Sequence, residues 1–246
     1  MTNAVPSAFI EPDWLESASG GTFFHPTAGA DWAEPLAVFR GVATDFWFCD
    51  VNYHDLGPGR WELSLPGFKR VRASLDGPSI ASEERRAGPD GQSWRHIEPA
   101  RLTEVLRNAD GREVTVVRRR GFGQVALATE FPARSVGVFM HRGDSMGEGG
   151  SNVRFLANQR RRHPPLDRLL DALAVRLRDR ALVVTDGSNS HVPWAKRWHN
   201  RPVAGADAYA RLVGRMHRRA GFDWRCVGWI GHRHGPTLVW GLARHE

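Results

Sequence analysis

The chain has 246 residues, 41% of them hydrophobic, and its ten Trp and twelve Phe suffice to bury one substantial core. Its formal net charge of +7 is unevenly spread: residues 1–110 hold 10 Lys+Arg against 16 Asp+Glu, and residues 111–246 hold 24 against 11. No apolar run approaches the ~20 residues that span a bilayer, and Met1 to Ser19 lacks the basic start of a secretory signal. The two cysteines, Cys49 and Cys226, each lie inside an apolar run. They read as buried reduced thiols of a cytoplasmic protein, which excludes a disulfide framework and a cysteine zinc site.

Residues 1–20, with Pro6, Pro12 and a Ser-Ala-Ser-Gly-Gly run, are expected to be a flexible lead-in. Residues 21–246 are expected to form a single α/β domain with an elaboration at about 56–112. Thr22 to Pro26 predicts a first short strand. Asp31, with Glu34 three residues later, has the capping-box pattern of a helix start, and Leu36 and Phe39 supply that helix's apolar face. Phe46 to Cys49 predicts a second strand that ends at Asp50.

The elaboration is rich in proline and charge. A hairpin is expected near Trp61 to Val71 and a helix near Pro99 to Arg107. Glu113 to Arg118 predicts a strand, and Gly121-Phe-Gly123 a turn into a further strand at Gln124 to Thr129. The apolar run Val136 to Met140 predicts a buried strand. It ends in His141 and a loop in which Gly143, Gly147, Gly149 and Gly150 surround Asp144, Ser145 and Glu148. Glycines let backbone approach a ligand closely, and the carboxylates and hydroxyl can hydrogen-bond it.

Pro165 opens a helix marked by Leu166, Leu169, Leu170, Leu173 and Leu177 at helical spacing. Ala181 to Thr185 predicts a strand that ends in a second polar loop, Asp186-Gly-Ser-Asn-Ser-His191. A helix is expected from Asp207 to Arg219 with Gly221 as its stop. Two strands, Trp224 to Ile230 and Thr237 to Leu242, close the chain. Alternating strands and helices predict an α/β fold: a Rossmann-like, mostly parallel sheet with flanking helices and a C-terminal antiparallel hairpin. The carboxyl ends of such strands open onto one crevice, so Asp50, Asp144, Glu148, Asp186 and His191 are expected around it.

The order of elements over residues 22–55 and 113–246 resembles the class I S-adenosylmethionine-dependent methyltransferases. In that family a seven-stranded sheet ends in a helix and an antiparallel pair, as Asp207 to Leu242 does on this reading. The resemblance implies S-adenosylmethionine as cofactor, held by the loop after the first strand (Gly29, Asp31) and by the acid after the second (Asp50). That loop has one glycine, fewer than the family pattern. The resemblance further implies catalytic work by the loop after the fourth strand, with His141, Asp144, Glu148 and Asp186 as candidates. Substrate contacts would come from Arg142, Ser145, Arg160, Arg161, Arg162 and His191. No metal ligand set is expected.

The expected substrate is a nucleic acid or another polyanion, since basic clusters occur at Arg118 to Arg120, Arg160 to Arg162 and Arg215 to Arg219. Only Lys69 and Lys196 are lysines, so a coding bias toward arginine explains the same excess without a partner. Two other readings compete: a binding or interaction module that has lost the cofactor, and an esterase of SGNH type with Ser145 as nucleophile. The second lacks the downstream Asp-x-x-His block that would orient and deprotonate such a serine.

Overall fold

The computed structural model describes residues 8–57, 66–87, 93–141, 169–186, 205–231 and 237–245. The strands among them are β1 (Ala8–Ile10), β2 (Thr22–Pro26), β3 (Asp45–Asp50), β4 (Phe68–Asp76), β5 (Glu83–Ala87), β6 (Ser93–Ile97), β7 (Ala100–Asn108), β8 (Glu113–Arg120), β9 (Val136–His141), β10 (Leu177–Asp186), β11 (Met216–Arg219), β12 (Phe222–Ile230) and β13 (Thr237–Arg244). The helices are short: α1 (Pro12–Ala18), α2 (Ala33–Phe39), α3 (Gly123–Glu130), α4 (Leu169–Arg176) and α5 (Gly205–Leu212). No described helix is long and apolar enough to cross a membrane.

Eleven strands form one sheet in the order β1-β12-β13-β10-β9-β2-β3-β8-β7-β4, with β11 also on the edge of β12; β5 and β6 pair separately. The five central strands β10, β9, β2, β3 and β8 run parallel. The other six pairings of this sheet are antiparallel. The sheet is therefore mixed, with more antiparallel than parallel pairings. This overturns the expected Rossmann-like, mostly parallel sheet closed by a single antiparallel hairpin.

The expectation failed because the segment read as an elaboration contributes two strands to the main sheet. A helix is expected near Pro99 to Arg107, where Leu102, Val105 and Leu106 mimic the i, i+3, i+4 spacing of a helix face, but residues 100–108 are extended. They form β7, with Ala100, Leu102, Glu104 and Leu106 buried on one face at a period of two. The strand expected at Gln124 to Thr129 is the helix α3. Strands β8 and β9 point the same way in the sheet, and a hairpin cannot join parallel strands.

Two further boundaries moved. Helix α5 ends at Leu212, where Gly214 takes φ +79 and Arg215 N–H bonds the Leu212 carbonyl at 3.0 Å. Met216–Arg219 then pairs with β12 across Ala220 and Gly221, both at positive φ, as a tight hairpin turn requires. The cap of α2 is Trp32, with no side-chain cap bond, so Asp31 is not the cap that its spacing from Glu34 suggested. Of the expected lead-in, Ala8–Ile10 pairs with β12 and Pro12–Ala18 is helical. The Trp14 indole lies where a Cβ on Gly241 would stand, 2.5 Å from its ring.

Burial occurs on both faces of the centre. One face packs Phe23, Phe46, Phe48, Val138, Met140, Leu182 and Val184 against Leu36 and Phe39 of α2 and Trp14 and Ala18 of α1. The other packs Phe24, Phe139, Val183, Trp240 and Leu242 against Ala126 and Leu127 of α3, Leu169, Leu170 and Leu173 of α4, and Ala208 and Leu212 of α5. Strands covered on both sides are continuous apolar runs, as all six buried residues of β9 illustrate.

Candidate functional site

Among the parallel strands, β3 and then β8 lie on one side of β2, and the later β9 and β10 lie on its other side. The direction of winding reverses between β2 and β9, and ligands of α/β sheets bind outside the carboxyl ends of strands at such a point. Strand β2 delivers His25 and Pro26 there, and β3 delivers Asp50.

A short loop joins Pro26 to α2. Thr27 and Gly29 both take positive φ, +57 and +49. Ala28 N–H donates to the Cys49 carbonyl at 2.8 Å, and Asp31 N–H to the Ala28 carbonyl at 2.7 Å. Gly29 N–H donates to Asp50 Oδ2 at 2.7 Å, and Asn52 N–H to Asp50 Oδ1 at 2.7 Å. Gly29 and Asp50, singled out by their spacing, are thus in direct contact. A Cβ at position 29 would stand 3.9 Å from Asp50 Oδ2, in the space beside the carboxylate. Asp50 is 6% exposed. An ionised carboxylate accepts about four hydrogen bonds, and among the described residues the backbone donors of Gly29 and Asn52 supply two.

Asp31 is committed elsewhere. Its Oδ2 lies 3.2 Å from Nε2 of the fully buried His25 ring, whose Nδ1 lies 2.9 Å from the Pro26 carbonyl. Behind Asp50 is Tyr53, 1% exposed, whose phenol is pushed well above its ordinary range by burial first and by the Asp50 charge second.

The residues Arg118 to Arg120 do not form the basic surface their sequence suggested. All three are buried. Arg118 donates to Glu104 of β7, which also receives Arg70 of β4 at 3.1 Å, and the Arg118 guanidinium lies 5.9 Å from the Trp32 ring centroid. Burial pulls the Arg118 guanidinium below its ordinary pKa, and Glu104 opposes that pull. Arg119 donates to Glu130 of α3 at 3.0 Å on the opposite face. Arg120 donates to the carbonyls of Tyr53, Pro78, Ser79 and Glu98. It fastens the segment after Asp50 to the segments flanking β4 and β7.

His141, the last residue of β9, is fully buried, stacks on Phe139 with centroids 6.2 Å apart, and lies beside Thr185 of β10 in the parallel register. Asp186 ends β10 opposite Thr237 of β13. Arg142, Asp144, Ser145, Glu148, Arg160, Arg161, Arg162 and His191 lie outside the described residues. No group of three or more His, Cys, Asp or Glu side chains converges as a metal site among the described residues.

His25, Tyr53, Glu104, Arg118 and Arg120 are the residues that sequence reasoning missed as parts of this end of the sheet. The one available signal was His25 closing the first strand ahead of a glycine turn. Glu104 and Arg118 lie fourteen positions apart on adjacent strands, and their pairing depends on a register that could not be read while β7 was taken for a helix.

The chain matches no protein-family model, no curated protein and no solved structure.

Proposed function

We propose that the chain is a cytoplasmic S-adenosylmethionine-dependent methyltransferase that acts on a nucleic acid or another anionic substrate. The observation that carries the reading is the contact of Gly29 N–H with the Asp50 carboxylate across the carboxyl ends of the first and second central strands. A carboxylate fixed by two backbone donors suits the hydroxyls of a ribose, since a carboxylate accepts about four hydrogen bonds.

Asp50 and the Gly29 backbone would hold the cofactor, which supplies an electrophilic methyl group on a sulfonium. Asp31, first assigned to that set, is bonded to His25 and leaves direct contact to its two neighbours. His141 and Asp186, at the ends of β9 and β10, are proposed with Asp144 and Glu148 for handling the substrate proton. Arg142, Ser145, Arg160, Arg161, Arg162 and His191 are proposed for substrate contact. A guanidinium cluster of this kind binds phosphate with a strong dependence on salt.

A specific observation favours the second reading, an interaction module without cofactor: both Asp50 oxygens already serve the fold's own backbone. Calorimetric titration with S-adenosylmethionine and S-adenosylhomocysteine separates the two. The methyltransferase reading expects saturable binding of both, and transfer of labelled methyl groups from the former to RNA or DNA. Heat for neither ligand at high protein concentration leaves the module.

A further inference from the structure

The loop between Pro26 and α2 carries a feature that the cofactor reading does not use. His25 has no exposed surface, and its two ring nitrogens face two acceptors, the Pro26 carbonyl at 2.9 Å and Asp31 Oδ2 at 3.2 Å. A neutral imidazole carries one N–H, and the tautomer sets which of the two contacts it makes as donor. Its face lies toward Phe48, with centroids 6.4 Å apart. The ring therefore ties Pro26, the last residue of β2, to Asp31, two residues before the start of α2.

What lies between is partly in the left-handed region of backbone conformation. Thr27, a β-branched residue, takes φ +57, a conformation such residues rarely adopt, and Gly29 follows at φ +49. Backbone of this kind persists only where the surroundings over-determine it. Three backbone donors do part of this, from Ala28 to the Cys49 carbonyl, from Asp31 to the Ala28 carbonyl, and from Gly29 to Asp50. The His25–Asp31 pair closes the ends of the loop, and its partners are unequally placed: the imidazole is sealed in the core, while the Asp31 side chain is 30% exposed.

We propose that His25 and Asp31 are positioning residues, a latch that holds the loop so that Gly29 N–H stays on Asp50. The ligand side of this inference rests on the methyltransferase reading; the loop side does not. Neither residue needs to touch the ligand. Asp31 acts through His25, and His25 acts through the backbone at Pro26.

The test is amide hydrogen exchange, read by NMR, on the wild-type chain and on Asp31→Ala and Asp31→Asn. Removing the carboxylate should speed exchange at Gly29 by about tenfold or more, the effect of losing a charged hydrogen bond that closes a local structure. The amide of Phe48, in the middle of β3, should stay protected. Asp31→Asn keeps an oxygen in the same place and should restore most of the Gly29 protection. S-adenosylhomocysteine affinity should follow the Gly29 exchange rate across the three proteins. Unchanged Gly29 exchange in Asp31→Ala overturns the latch, and so does a uniform loss of protection at Gly29 and Phe48 in both variants, which marks a merely structural pair. Selective loss at Gly29 in a chain whose wild type never binds S-adenosylhomocysteine upholds the latch and sinks the methyltransferase reading instead.

Discussion

The five central strands and the outer wing of β7 and β4 belong to one sheet but are buried to different degrees. In β9 every residue is buried, whereas β4 is exposed from Lys69 to Asp76 and only Phe68 is partly covered. The centre gains its stability from apolar area removed from water on both faces. Within this wing β4 has little such area, whereas Ala100, Leu102 and Leu106 of β7 belong to the central core, and charge adds to that join. Arg118 of β8, the last parallel strand, meets Glu104 of β7, the first antiparallel one, and both side chains are almost without solvent. Arg120, two residues on, spends its guanidinium on backbone carbonyls of the segments that flank the wing. The lesson is that the candidate site, at the carboxyl ends of β2 and β3, sits between an apolar core and an ionic seam.

The seam should give the largest effect. Glu104→Ala leaves Arg118 buried without its anion and releases Arg70 as well, and breaking a buried pair in this way costs about 3–5 kcal/mol. Chemical denaturation should record that loss. The double variant Glu104→Leu with Arg118→Met replaces the pair with apolar volume and should recover most of it. A Glu104→Ala protein as stable as wild type would refute the seam.

The centre comes next. Leu182→Ala, in a fully buried position of β10, should cost about 2–5 kcal/mol through lost burial and the cavity left behind. Leu75→Ala on β4, 38% exposed, should stay within about 0.5 kcal/mol. Equal effects at the two positions would erase the distinction between centre and wing.

The thiols sharpen the same comparison chemically. Burial pushes Cys49 and Cys226 from 9.0 up to about 12. A raised folded-state pKa means that the neutral thiol is favoured in the fold. Its contribution to stability is complete below pH 9.0 and is lost as pH rises toward about 12. Neither thiol should react with a thiol reagent at pH 8 until denaturant opens the core, when both should. Rapid labelling of the native chain would place one of them at the surface.

How much of this could be read beforehand follows the same division. Phe46 to Cys49, Val136 to Met140 and Ala181 to Val184 are short, uninterrupted apolar runs, and each is a strand because a strand covered on both faces has no polar side to interrupt it. Strand β7 was misread because Val105 breaks its alternation: it is buried on the face opposite Leu102 and Leu106. The run Arg118 to Arg120 looked like a surface patch because the partners that bury it, Glu104, Glu130 and the carbonyls of residues 53, 78, 79 and 98, come from four other segments. Within the site, the separation of Gly29 and Asp50 was legible since a loop and the next strand end are brought together by any parallel β-α-β unit. The pairing of His25 with Asp31 was not, because Asp31 fits equally well as a helix cap.

The central claim is that a ligand enters beside Asp50, at the carboxyl ends of β2 and β3. The most direct measurement is a two-dimensional amide NMR spectrum of the wild-type chain titrated with S-adenosylhomocysteine. The amides of Gly29 and Asn52, the two that donate to Asp50, should shift together and saturate, while that of Ser74 on β4 stays in place. A saturable titration that leaves Gly29 and Asn52 unmoved, or no shift at any amide up to millimolar ligand, would contradict it.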